Sequence, residues 1–380
     1  MILCALASLW AGYSGSILIL VLPAVGHQFG SSIGSLANLG SVLSLGTALA
    51  PPLGWAADRI GRRPLLALAL ALGSAADLFS ALSTGLTTLA LSRLLAVGLE
   101  TLALTLASAL VVEEVVATRR GLALAGLGVS AGIGFGLATI IYPALAPNWR
   151  ALYWGASLGL PLAGLVFWQL PESRLWAAAA QGSAPLRQVL SGPWRRRLWL
   201  ACGFGILSAA LYRPAALLIA FYGSRDLHLE PIWISAVIVV SGVVSAPALL
   251  LGGTLSDRWG RRRPGVLLGL LAAAFTALNF SLGRAGYWVG SVGASLGSSA
   301  QAPVLGAWFG ELFPTRARAS AESLTAFAAA LGGIAGLQIL PALQSRLGLG
   351  GAIAILALPA LAGSLLLLGL PETQGLDLPE

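Results

Sequence analysis

Four ionisable residues stand far from any loop in a chain that is otherwise poor in charge: Asp77, Arg93, Glu100 and Arg213. Each sits inside a long apolar run, where a charge is costly and marks either a buried pair or a working group. Asp77 and Arg93 lie eight residues on either side of Gly85, which reads as the turn between two helices. At about 1.5 Å per residue both reach about 12 Å below that turn on adjacent helices, where they can pair. Glu100 follows Arg93 by seven residues, so it shares one helix face with it, about two turns deeper. The spacing fits a structural charge cluster, and it also fits a carboxyl at Glu100 that takes up a proton.

Arg213 stands about nine residues from the outer end of its run and is followed by Pro214, too deep for easy snorkelling. A guanidinium fork there needs either Asp77 or Glu100, or an anion from solution held bidentately. Tyr13, Tyr212 and Gln301 are the candidate hydrogen-bond donors around such an anion.

The elements that position these groups follow from composition. With 57% hydrophobic and 9% charged residues and a mean hydropathy of +0.86, the chain has too little polar surface to cover a water-soluble globule of 380 residues. Twelve apolar spans are expected, near 2–25, 34–57, 65–83, 86–112, 121–146, 151–170, 198–222, 232–256, 264–283, 286–310, 319–342 and 349–370. The first begins at Met1 with no basic segment before it and reads as a span rather than a signal peptide. The expected organisation is a six-helix bundle over 1–171, a cytoplasmic linker over 172–197, a second bundle over 198–371 and a short cytoplasmic tail over 372–380.

The net charge of +8 does not point to nucleic acid, because the basic residues lie in short loops between spans. With both termini cytoplasmic, sixteen of the 22 arginines fall in inside loops and only Arg150, Arg225, Arg284 and Arg346 fall outside. There is no lysine, so a Walker A phosphate loop is excluded, and with it an ATP-driven pump. Cys4 and Cys202 read as packing residues, and His27 and His228 are too far apart to suggest a metal site. No cofactor and no catalytic set are expected. The glycines at 126, 128, 132, 134 and 136 read as close helix packing in the fifth span.

The chain repeats itself at an offset of about 199 residues. Gly54, Asp58, Arg59, Gly61 and Arg62 return as Gly253, Asp257, Arg258, Gly260 and Arg261. Glu114 and Arg119 return as Glu311 and Arg316, and Pro171-Glu172-Ser173 returns as Pro371-Glu372-Thr373. A carboxylate at the end of a helix can bond backbone amides and arginines in one packing of two bundles and release them in the other, so Asp58 and Asp257 are candidate latches. Around them, Glu114, Arg119, Arg120, Glu172, Glu311, Arg316, Arg318 and Glu372 form the expected cytoplasmic charge network.

The doubled Gly-x-x-x-Asp-Arg-x-Gly-Arg-Arg motif resembles the signature of the major facilitator superfamily. The fragments Pro171-Glu-Ser-Arg-Leu-Trp176, Gly310-Glu-Leu-Phe-Pro-Thr-Arg316 and Pro371-Glu-Thr-Gln-Gly375 are similar to its sugar-porter-like branch. The resemblance implies an all-α membrane fold of two six-helix bundles related by a pseudo-two-fold axis, with spans 1 and 7 lining a central cavity. It implies secondary transport by alternating access rather than an enzyme. The glutamine-rich sugar pattern of span 7 is missing, as is the acidic residue common in span 1 of organic-acid carriers. The expected substrate class is an organic anion or metabolite carried with protons, ahead of a drug or xenobiotic antiporter and a sugar symporter. A non-transporting receptor or scaffold is the alternative from another class. A monomer in the plasma membrane is expected.

Overall fold

The computed structural model describes residues 1–48, 60–115, 120–172, 194–313 and 318–374, and for some of these the backbone alone. Among them the structure is helical, without strands, as a lipid environment requires of a chain that must satisfy every backbone amide internally. The chain divides into two compact units, Met1–Gln181 and Gly182–Glu380. The division falls inside the expected linker. Trp194 to Arg197 are already helical, and residues 173–193 lie outside the described residues.

The N-terminal unit consists of α1 (Ile2–Gln28), α2 (Ile33–Ala48), α3 (Arg62–Ala81), α4 (Leu86–Glu114), α5 (Arg120–Leu145), α6 (Arg150–Ala156) and α7 (Gly159–Gln169). α1 packs on α5, α2 and α3 pack on α4, and α7 packs on α3. The C-terminal unit consists of α8 (Trp194–Arg225), α9 (Pro231–Trp259), α10 (Arg262–Asn279), α11 (Gly283–Leu312) and α12 (Arg318–Leu366). There α8 packs on α12, α9 and α10 pack on α11, and α12 packs on α10, so the pairings of the first unit recur in the second. Counting α6 and α7 as one pass and α12 as two gives twelve passes.

Three span boundaries differ from the sequence reading. The expected sixth span is broken at Ser157–Leu158, because Pro161 has no N–H to bond the Ser157 carbonyl, which accepts from Leu160 instead. At Gly159, where α7 begins, a Cβ would collide with the Ser74 hydroxyl and the Trp10 indole. The expected eleventh and twelfth spans are joined without a loop, and the chain turns at Gly348 alone, at a φ of 71° that favours glycine. α9 runs on to Trp259, which places Asp257 and Arg258 in its last turn rather than in a loop.

The glycine-rich fifth span is less uniform than its spacing suggests. A Cβ on Gly134 would collide with the Leu9 carbonyl of α1, whereas Gly126, Gly128, Gly132 and Gly136 face open space. Only Gly134 therefore carries the close α1–α5 approach from this side. Gly134→Val is expected to destabilise the protein by about 1–3 kcal/mol through overpacking. Gly128→Ala should leave the melting temperature in detergent unchanged, so equal losses for the two variants would contradict this packing.

Candidate functional site

The buried charges of the N-terminal unit meet in one place. α3 brings Asp77, α4 brings Arg93 and Glu100, α1 brings Ser14 and α6 brings Tyr153. The seven-residue spacing on α4 lets one guanidinium serve two carboxylates: Arg93 Nη1 bonds Asp77 Oδ1, and Nη2 lies 2.9 Å from Glu100 Oε1. Asp77 and Arg93 are fully buried, and Glu100 is 5% exposed. The Tyr153 ring lies under the guanidinium at 5.4 Å, a desolvated cation–π contact of about 2 kcal/mol. Arg93 Nε and the Tyr153 hydroxyl have no hydrogen-bond partner among the described residues.

Ser14 is the member that the sequence reading did not single out. Its hydroxyl oxygen lies 2.7 Å from Asp77 Oδ2 and 2.5 Å from Glu100 Oε1, so it bridges both carboxyls from a third helix. Serine is common in apolar helices, where its hydroxyl usually bonds the preceding turn, so nothing in its spacing marks it.

At the end of the spans that carries the repeated motif, each unit builds the same device. In the first unit Glu172 Oε1 accepts hydrogen bonds from the backbone N–H of Arg62 at 3.0 Å and of Arg63 at 3.2 Å, at the start of α3. In the second, Glu372 accepts from the backbone N–H of Arg261 at 2.8 Å and of Arg262 at 3.0 Å, at the start of α10. The glycine before each helix makes the approach possible: Gly61 at φ 114° and Gly260 at φ 86°. A Cβ there would lie 2.7 Å from the Glu172 carboxylate and 2.5 Å from that of Glu372, respectively. The amide-bonding role expected of the motif aspartates thus falls, among the described residues, to these two glutamates.

Asp257 instead pairs with Arg261 at 2.7 Å, one turn along the chain. The Arg261 guanidinium also forks onto Glu311, at 3.0 and 3.3 Å. Arg258 is exposed on the next position and Gly253 is half-buried one turn earlier. Glu114 is exposed at the end of α4. Gly54, Asp58, Arg59, Arg119 and Arg316, and the side chains of Arg120 and Arg318, lie outside the described residues.

The four N–H bonds from Arg261, Arg262, Thr373 and Gln374 outweigh the opposing desolvation and hold the Glu372 carboxyl below the usual carboxylate range. A depressed folded value contributes stability above the unfolded value, near pH 4, and loses it as pH falls through the folded value. Glu372 is exposed, so solvent screening keeps the effect to about 0.5–1 kcal/mol. Glu372→Gln should therefore lower the melting temperature at pH 7, with the gap to wild type closing below about pH 4. A gap that widened on acidification would contradict the assignment.

The expected substrate residues fall in both units, Tyr13 in the first and Tyr212, Arg213 and Gln301 in the second. Arg213 is exposed on α8 and has no hydrogen bond or ion pair among the described residues, and Tyr212 beside it is half-buried. Gln301 is buried, and its amide donates to the Gly265 carbonyl at 2.8 Å, so it ties α11 to α10. The Tyr13 hydroxyl donates to the Leu152 carbonyl at 3.2 Å.

The sequence profile of the Major Facilitator Superfamily matches residues 4–279 and 207–379, which together span nearly the whole chain. The chain belongs to the major facilitator superfamily. As a member it is a membrane transporter rather than an enzyme. It is 26% identical to a gallate transporter of Pseudomonas putida over 416 residues, covering 97% of this chain and 90% of that one. Its fold is similar to the inward-open xylose transporter XylE of E. coli, with a TM-score of 0.79 at 17% identity over 99% of this chain and 97% of that one. It is also similar to the human organic anion transporter MFSD10, with a TM-score of 0.71 at 17% identity over 96% and 98% of the two chains. At these identities the solved structures speak for the fold alone.

Proposed function

We propose that this transporter carries a small organic anion together with a proton, with Glu100 as the proton-accepting group and Arg213 as an anion-binding group. The observation that carries the reading is the buried cluster of one guanidinium and two carboxyls, whose net charge changes by one when a single proton enters. Intramembrane carboxyls of this kind are costly, and coupling is the use that repays them. Arg213, exposed and without a partner among the described residues, supplies the cation an anion needs. The gallate transporter relative supports an aromatic or other carboxylate over a neutral sugar. The arginine asymmetry supports cytoplasmic termini, and the transporter is proposed to act as a monomer in the plasma membrane.

The reading is tested in proteoliposomes with an imposed pH gradient, offering radiolabelled gallate, xylose and a cationic dye in parallel. Gallate should accumulate when the outside is acidic and xylose should not. Dye extrusion without gallate uptake would favour an efflux antiporter instead.

A further inference from the structure

The contacts of Ser14 hold information about how many protons the cluster stores. A serine hydroxyl has one hydrogen to donate and lone pairs to accept with. Its oxygen meets Asp77 Oδ2 at 2.7 Å and Glu100 Oε1 at 2.5 Å, and an ionised carboxylate can only accept. With both carboxyls ionised, one of these contacts would set a carboxylate oxygen against a hydroxyl lone pair. Both are satisfied when one carboxyl carries a proton and donates it to Ser14 Oγ while Ser14 donates its own hydrogen to the other. The same single proton balances the charge, since Arg93 stands against two carboxyls in a site that is fully or almost fully buried.

We infer that Ser14 is a proton relay that joins Glu100 and Asp77 into a single one-proton site. A proton reaches Glu100 first, because Glu100 alone of the pair is partly exposed and its Oε2 lies beside Gly15, an exposed position with no side chain to cover it. The O–H bond on Glu100 Oε1 breaks as its proton passes to Ser14 Oγ, and the hydrogen of Ser14 passes to Asp77 Oδ2. Ser14 ends with one hydrogen, as it began, and the proton has moved from the edge of the cluster to its buried side. Among the described residues, the further charged or titratable groups of α1 (Cys4, His27), α3 (Arg62, Arg63), α4 (Glu114) and α6 (Arg150) lie near the helix ends. Of the helices around the cluster, α1 adds Tyr13, held on the Leu152 carbonyl, and α6 adds Tyr153. α2 and α7 carry no ionisable side chain, and α5 carries only Arg120 in its first turn and Tyr142. Because Ser14 belongs to α1 and the carboxyls to α3 and α4, loss of the proton releases one tie between α1 and its neighbours.

This inference rests on proton coupling at the cluster, and the test separates the two. Gallate accumulation under a pH gradient and gallate counterflow are measured for wild type, Ser14→Ala, Ser14→Thr and Glu100→Gln. Infrared difference spectra of the purified protein follow the carbonyl band of a protonated carboxyl through a pH titration. Ser14→Ala should lower accumulation at least about tenfold, keep counterflow within about twofold and shift the carboxyl band to higher frequency, while Ser14→Thr restores both the accumulation and the band position. Wild type should lose one carboxyl band that Glu100→Gln lacks. Unchanged accumulation in Ser14→Ala alongside its loss in Glu100→Gln overturns the relay alone. So does loss of counterflow in Ser14→Ala that Thr does not restore, which would make the residue structural. Full accumulation in Glu100→Gln overturns the coupling reading itself.

Discussion

Glu100→Gln is expected to abolish pH-driven accumulation of substrate while leaving counterflow exchange in place. Glutamine keeps the shape and an acceptor for Arg93 Nη2 but cannot take up or release a proton. The variant cluster then holds one guanidinium against one carboxylate, the same net charge as the protonated wild type, so it should fold and load substrate. A one-unit pH gradient is worth about 1.4 kcal/mol and sustains about tenfold accumulation for one proton per monoanion, and all of that should be lost. Asp77→Asn makes the contrast. It removes the carboxylate that binds Nη1 but leaves Arg93 paired with Glu100 at 2.9 Å, so the variant should fold, and accumulation should fall without vanishing because the relay loses its acceptor while Glu100 can still take up a proton. Uptake measured at matched protein content in proteoliposomes separates the two variants.

Arg213→Ala is expected to raise the apparent KM for a carboxylate substrate by about 10- to 100-fold with a smaller change in maximal rate, since a charged hydrogen-bonded contact is worth about 1.5–3 kcal/mol. Arg213→Lys should restore only part of the loss, because an ammonium keeps the charge but not the planar fork. The effect should be confined to anions. An equal loss for a neutral compound carried by the same protein would mean that Arg213 holds the helix rather than the ligand.

Much of this architecture is legible before any coordinates. The 199-residue repeat announces the paired bundles, and the equal distances of Asp77 and Arg93 from Gly85 place them at one depth. The seven-residue step to Glu100 brings it to the same guanidinium. Other features escape because they depend on partners distant in the chain. Ser14 looks like any small polar residue in a span until the two carboxyls 63 and 86 residues away close on it. Gln301 reads as a candidate ligand donor, and its bond to the Gly265 carbonyl, 36 residues away, is not visible in the sequence. The echo of Pro-Glu-Ser in Pro-Glu-Thr marks Glu172 and Glu372 as a repeated pair, but not that each caps the helix following a glycine in the left-handed region. Pro161 removes a helical hydrogen bond at the break in the sixth span, which hydropathy alone does not register.

The central claim is that substrate and proton move together through the buried cluster, and the most direct measurement is proton movement itself. Gallate is added to lightly buffered proteoliposomes with no imposed gradient, and the external pH is recorded. Wild type should alkalinise the medium as gallate enters, with one proton taken up per gallate, and Glu100→Gln should exchange gallate with no change in pH. Gallate entry into wild-type vesicles without alkalinisation, or alkalinisation that survives in Glu100→Gln, would contradict it.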